Sequence, residues 1–212
     1  MSGSASLDIR DQTHDGIEEF FLQHGEKKFR AAQVDEWLWK KSCHSFDAMT
    51  NLSRKIRQLL KDHFSFHTAV AETLQQSSDG TIKTGFILHD GLWVESVLIP
   101  SGNRSTVCVS SQVGCALGCK FCATGQLGFS RNLTVGEIFD QVTAPPPAPP
   151  QPGRGGATLR DQVSNIVFMG MGEPFLNYEN VVSAIEKITS TEGLGMSPQR
   201  ITVSSVGIPR MI

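Results

Sequence analysis

Cys115-Ala116-Leu117-Gly118-Cys119-Lys120-Phe121-Cys122 sets three thiols close together in a chain of 212 residues. Just upstream, Thr106-Val107-Cys108-Val109-Ser110 is a β-branched run that reads as a strand. A strand ending in a glycine-punctuated cysteine loop suggests a metal site at the mouth of a sheet. Three soft thiolates select zinc, copper(I) or an iron-sulfur cluster. Structural zinc takes four protein ligands, yet no histidine follows His89, and the only other nearby thiol is Cys108, on the strand itself. A cubane held by three cysteines leaves one iron open to an exogenous ligand. Free cysteine also packs as a small core hydrophobe, but Gly114, Gly118 and Lys120 around the loop argue against that reading.

Composition sets the surroundings of this loop. A hydrophobic content of 39% is ordinary for a globular protein, and a net charge of -2 neither requires nor excludes a nucleic-acid partner. Five cysteines without the apolar core of a signal peptide point to a reducing compartment, where clustered thiols bind metals or do chemistry. No apolar run approaches the ~20 residues of a membrane span, so a soluble chain without membrane association is expected. Asp8 and Asp11 make the first residues a poor transit peptide. Cytoplasm is the expected location, with an organelle as the alternative if a targeting extension is missing.

Residues 15–63 read as a helical module. Ile17, Phe20 and Phe21 share one face, as do Val34, Trp37 and Leu38, and then Ile56, Leu59 and Leu60; Ser53 is placed to cap the third helix. The polar faces carry Lys27, Lys28, Arg30, Lys40, Lys41, Arg54, Lys55, Arg57 and Lys61 against fewer acids. These cations describe either a solvated surface with snorkelling lysines or a module whose lysines meet RNA phosphates.

From about Thr68 to Ile99 the pattern changes to period two. Asp79-Gly80 and Asp90-Gly91 are turn signals spaced for a three-stranded antiparallel meander. Ile82, Thr84, Phe86 and Leu88 point one way in the middle strand, and Trp93, Glu95, Val97 and Ile99 share a face of the last. Glu95 is the odd member: a carboxylate there is either exposed on a sheet edge or desolvated in a site. Pro100-Ser101-Gly102-Asn103 then reads as a break before the cysteine strand.

Beyond the loop, Thr134 and Glu137 form a Thr-x-x-Glu capping box for a helix. Residues 144–157 are too rich in proline and glycine to be helical or to pack a core, and are expected to be a disordered surface insertion. Ser164 to Met169 reads as a buried parallel strand, followed by Gly170-Met171-Gly172-Glu173-Pro174, where α/β folds bind ligands and where an acid can receive an ammonium group. A helix over 178–189, with Val181, Val182, Ile185 and Ile188 apolar, and a strand over 200–204 complete the alternation. Strands and helices in this order are the repeat of a parallel βα sheet or barrel. Three such strands leave an edge uncovered, so the chain is expected to end partway through a larger fold.

These strings together resemble the radical S-adenosyl-L-methionine (SAM) enzymes, and within them the RlmN/Cfr family of RNA methyltransferases. The resemblance runs from about Phe29 to the end and rests on 95–100, 108–122 and 168–174. It implies an α/β fold with a helical RNA-binding accessory domain over 1–66, an antiparallel β-extension over 67–100, and the first part of a partial (βα)6 barrel over 101–212. It further implies a 4Fe-4S cluster on Cys115, Cys119 and Cys122, and SAM bound with the help of Phe121, Gly172, Glu173 and Ser204. Reductive cleavage of the SAM sulfonium to a carbon radical would allow methylation of C2 of an adenine in large-subunit ribosomal RNA, and possibly in transfer RNA, with two SAM molecules used. Glu95 would take the C2 proton, and Cys108 would resolve the protein-RNA adduct. An electron donor such as flavodoxin or ferredoxin and a monomeric state are expected. The methyl-carrying cysteine of the family pattern falls beyond Ile212, so this chain is expected to be C-terminally truncated, and its own activity is doubtful. The alternatives are a Cfr-like C8 methyltransferase, a non-catalytic RNA-binding fragment, and a zinc module.

Overall fold

The structure, a computed structural model, describes residues 7–144 and 163–208. All but the first residue of the insertion expected at 144–157 therefore lie outside the described residues. The chain divides into two compact units, Met1–Thr68 with Glu186–Met196, and Ala69–Ile185 with Ser197–Ile212.

In the first unit, β1 (Leu7–Asp8) pairs in parallel with β2 (Phe64–Ser65), bracketing α1 (His14–Gln23), α2 (Arg30–Asp35) and α3 (Arg54–His63). Thr13 caps α1 by accepting from the Gly16 N–H, and Ser53 caps α3 by accepting from the Ile56 N–H. Both side chains pair a backbone donor that a helix start otherwise leaves open. Ile17, Phe21, Val34, Leu38, Ile56 and Leu60 are buried. Trp37 departs from the expected face. A π-helical turn over Glu36–Lys40 adds a residue to the repeat, so Trp39 turns inward while Trp37 stays half-exposed and meets the Lys41 ammonium. Asp8 and Arg10 form a buried ion pair of 3.1 Å, and the Asp8 carboxylate also accepts from the His67 N–H. Among the surface cations, Lys28, Lys41, Lys55 and Lys61 pair with Glu18, Glu36, Glu26 and Asp47.

The second unit is built on a six-stranded sheet. Its strands are β3 (Val70–Gln76), β4 (Ile82–Ile87), β5 (Trp93–Ser101), β6 (Arg104–Cys108), β9 (Asn165–Phe168) and β10 (Ile201–Val203), in the order β10-β9-β6-β5-β4-β3. The expected meander is β3 to β5, and the expected parallel strands are β6, β9 and β10. The break expected at Pro100 is instead a tight hairpin: Pro100 pairs with Ser105, Ser101 with Arg104, and Gly102 turns at a φ of 56°. Because β4 ends opposite Leu98, the nitrogen of Pro100 faces no neighbouring strand, and proline is tolerated there. The meander and the parallel strands are therefore one continuous sheet.

Crossovers carry α5 (Val135–Thr143) between β6 and β9, and α6 (Tyr178–Thr189) between β9 and β10, as parallel pairing requires. One face of the sheet holds Ile82, Phe86, Val94, Leu98, Val107, Ile166 and Phe168, all buried. Each such side chain contributes about 1.5–3 kcal/mol by leaving water. The opposite face is partly open. A small hairpin of β7 (Gln112–Gly114) and β8 (Phe129–Asn132), with the one-turn α4 (Ala123–Gln126) inside it, was not expected from the sequence.

Replacing Ser53 by Ala removes the α3 cap while leaving the apolar face untouched. Urea unfolding followed by circular dichroism is expected to show a loss of about 1 kcal/mol for Ser53→Ala and only a few tenths for Ser53→Gly.

Candidate functional site

The cysteine loop is closed at its base by the β7–β8 pairing and by the Cys115 N–H donating to the Gly128 carbonyl at 2.9 Å. Gly114 lies at the neck with a φ of 73°, where a Cβ would collide with that same carbonyl, so only glycine fits. Inside the loop the Cys122 N–H donates to the Cys119 carbonyl, and α4 begins at once. All three thiols are free and partly exposed, and Phe121 between them is 92% exposed. Hydrogen bonding from the Gly125 backbone, with help from Thr124, holds the Cys122 thiol below its ordinary value.

No three His, Cys, Asp or Glu side chains among the described residues stand close enough, as placed, to hold a metal ion. The loop thus brings the three cysteines to one place without converging their sulfurs. The donor set still suits an iron-sulfur cluster: three free thiols on one loop with no histidine among them. Binding would require these side chains to turn toward a common point.

Behind the loop, Ser110-Ser111-Gln112 forms a buried polar junction. The Ser110 hydroxyl donates to the Glu95 carbonyl at 2.6 Å and accepts from the Met171 N–H at 2.8 Å. Gln141 on α5 accepts from the Ser110 N–H and donates to the Ser110 carbonyl. The Gln112 carboxamide accepts from the Glu173 N–H and donates to Asn132. Gly172, with a φ of 95°, packs so closely that a Cβ would lie 2.7 Å from the Gln112 amide nitrogen.

Glu173 is buried, and its carboxylate accepts from the Phe175 N–H at 3.0 Å and the Val206 N–H at 3.1 Å. It joins the loops that follow β9 and β10, which brings Ser204 into the same neighbourhood as an exposed residue. A carboxylate so occupied has less capacity for an ammonium than the open acid expected from the sequence.

Glu95 is neither on a sheet edge nor fully desolvated. It lies on β5, interior to the sheet, half-buried and paired with the Lys83 ammonium at 2.8 Å. Val97 pairs with Cys108, and directly opposed residues share a face, so Glu95 and Cys108 are diagonal neighbours on the partly open face. Burial pushes the Cys108 thiol up, partly offset by hydrogen bonding from the Met169 backbone.

One functional-looking constellation escaped the sequence reading. Glu137, expected only as a capping residue, does complete the Thr134 capping box, but it is also fully buried and held bidentately by Arg131 at 2.8 Å. Arg131 donates as well to Asp90 on the β4–β5 turn at 2.6 Å. Three widely spaced positions carry no local pattern that would join them. The hydrogen bond from Arg131 holds the Asp90 carboxyl below its ordinary value.

Residues 7–65 match the family model described as the ribosomal RNA large subunit methyltransferase N-terminal domain of RlmN. A "Probable dual-specificity RNA methyltransferase RlmN" of Christiangramia forsetii is 55% identical over 205 residues, which cover 97% of this chain and 56% of that protein. The "Dual-specificity RNA methyltransferase RlmN" of Oleidesulfovibrio alaskensis is 45% identical over 204 residues, covering 95% and 56%. The crystal structure of a radical SAM methyltransferase from Sphaerobacter thermophilus superposes with a TM-score of 0.79 at 40% identity, over 95% of this chain and 57% of that one. The chain spans a little over half the length of these relatives.

Two outcomes follow from the electrostatics. Because the folded-state pKa of Asp90 is depressed, its contribution is present above the unfolded value of about 3.9 and is lost as pH falls through the folded value. Asp90→Asn is expected to lower stability at pH 7 by about 1 kcal/mol or less, with the gap closing below about pH 4 in pH-dependent unfolding. In timed alkylation with iodoacetamide at mildly alkaline pH, read by peptide mass spectrometry, Cys122 is expected to react well before Cys108.

Proposed function

The chain belongs to the RlmN family of radical SAM methyltransferases, and on that premise we propose that it carries the RNA-recognition unit and part of the catalytic centre of an enzyme that methylates C2 of an adenine in ribosomal RNA, and also in transfer RNA. The observation that carries this reading is the shared face of Glu95 and Cys108, a carboxylate and a thiol brought together from strands that a packing role would fill with apolar side chains.

Cys115, Cys119 and Cys122 would hold a 4Fe-4S cluster, with Phe121, Gly172, Glu173 and Ser204 around its SAM. When bound, these groups supply one-electron chemistry able to act on an unactivated aromatic C–H. Glu95 is the general base that accepts the proton leaving C2, and the Lys83 ammonium orients its carboxylate. Cys108 is held protonated at neutral pH by its burial, so its thiol becomes a nucleophile only when a nearby base takes the proton. Gly172 and Gln112 fix the turn that presents Glu173. The helical unit, with its many lysines and arginines, supplies phosphate contacts for an RNA whose target base must be unstacked to be reached. No helix among the described residues is long and apolar enough to cross a membrane. A cytoplasmic location, a monomeric state and a flavodoxin- or ferredoxin-type electron donor complete the reading.

Anaerobic reconstitution of the chain with iron and sulfide tests it. A brown charge-transfer chromophore is expected, abolished by Cys115→Ala, Cys119→Ala or Cys122→Ala and retained in Cys108→Ala. With SAM and a reductant, 5'-deoxyadenosine and methionine are expected products. Stoichiometric zinc without the chromophore would overturn the reading.

A further inference from the structure

Over β3, β4 and β5, on the face that carries Glu95, lies a cavity of about 260 Å³ whose walls include Glu72, Thr73, Lys83, Gly85, Trp93 and Glu95. It is displaced from the Glu95–Cys108 diagonal. Cys108 lies on β6, across β5 from the cavity, whereas Thr73 and Gly85 oppose one another on the far side of Glu95. Trp93 shares the face of Glu95, two residues and about 7 Å away along the strand. Its indole is 52% exposed. Gly85, directly opposite Glu95, contributes no side chain, so the floor of the cavity stays open beside the indole.

Two carboxylates and one ammonium leave this lining with a net negative charge. Such a wall repels a phosphate and favours a group that is flat, apolar on its faces and rich in N–H donors at its edge. A nucleobase with an exocyclic amine has that chemistry: its ring stacks on an exposed aromatic, and its N–H groups donate to carboxylate oxygens. We propose that this cavity is a subsite for an unstacked base neighbouring the target adenine in the RNA strand, with Trp93 as its stacking platform and Glu72 and Glu95 as acceptors at its edge. The proposal rests on the RNA-substrate reading above and adds a second base position to it. Lys83, between this subsite and the diagonal, pairs with Glu95 and couples the two positions.

The test uses the chain as it stands with fluorescein-labelled single-stranded RNA pentamers containing a central adenine, read by fluorescence anisotropy at low ionic strength. Stacking is worth about 1–3 kcal/mol per base, so Trp93→Ala is expected to weaken binding by about tenfold, while Trp93→Phe retains most of the affinity. Because Trp93 is exposed, the substitution spares the core. A pentamer made abasic beside the adenine is expected to bind the wild-type chain and Trp93→Ala equally weakly. If wild-type and Trp93→Ala chains bind the intact pentamer alike, the subsite is overturned and the RNA reading stands. Failure of the chain to bind any pentamer overturns both. A SAM affinity that falls in Trp93→Ala while RNA binding does not would assign the cavity to the cofactor and overturn the nucleobase.

Discussion

The catalytic-looking half of this chain depends on how its backbone is satisfied where it leaves the sheet. At the end of β6 the strand ladder stops, and Ser110, Ser111 and Gln112 run through the interior with N–H and C=O groups that have no strand partner. A buried backbone polar group left unpaired costs about as much as a lost hydrogen bond. Side chains supply the partners. Gln141 reads both backbone groups of Ser110, Asn177 donates to the Ser111 carbonyl, and the Ser110 hydroxyl bridges β5 to the loop after β9. Because each bond reaches a different element, satisfying one tripeptide fixes the relative positions of the cysteine loop, the Glu173 turn and the Glu95 strand.

The Arg131 cluster does the same work at the other end of the cysteine loop. A carboxylate with no exposure, such as that of Glu137, is tolerated only when paired and hydrogen-bonded. Arg131 and the Thr134 N–H provide this, and the remaining arm of the guanidinium reaches Asp90. The hairpin that begins with Gln112 is therefore anchored at Gln112 by the polar junction and at Arg131 by an ion-pair network. The loop between them has fixed ends and exposed contents.

Much of this architecture is legible in the sequence because its signals are local. Asp79-Gly80 and Asp90-Gly91 announce their turns, Ser53 and Thr134 announce their caps, and alternation in 82–88 and 93–99 assigns sheet faces that the register bears out. Departures occur where a non-local partner decides. The π-turn that exchanges Trp37 for Trp39 is set by packing around α2, and the strand through Pro100 survives only because β4 ends before reaching it. Arg131, Asp90 and Glu137 are brought together by folding alone. The site residues divide the same way. Spacing is enough to group the cysteines, but not to show that their sulfurs diverge or that the Glu173 carboxylate is already engaged by two amides.

That division has a mechanistic meaning. The groups that locate the site are buried and fully hydrogen-bonded, while those that would touch a cofactor or substrate, namely Phe121, Cys122, Ser204 and Trp93, are exposed or nearly so. A cluster bound by thiolates draws its free energy from ligands that must be gathered and deprotonated. Here the gathering has been done at the level of backbone, by Gly114 and the β7–β8 pairing, and what remains is side-chain rotation. Rotating three cysteines costs little beside fixing a loop of that length. Most of the entropy of forming the site is thus met by folding of the second unit, and cofactor binding needs to supply only the final convergence.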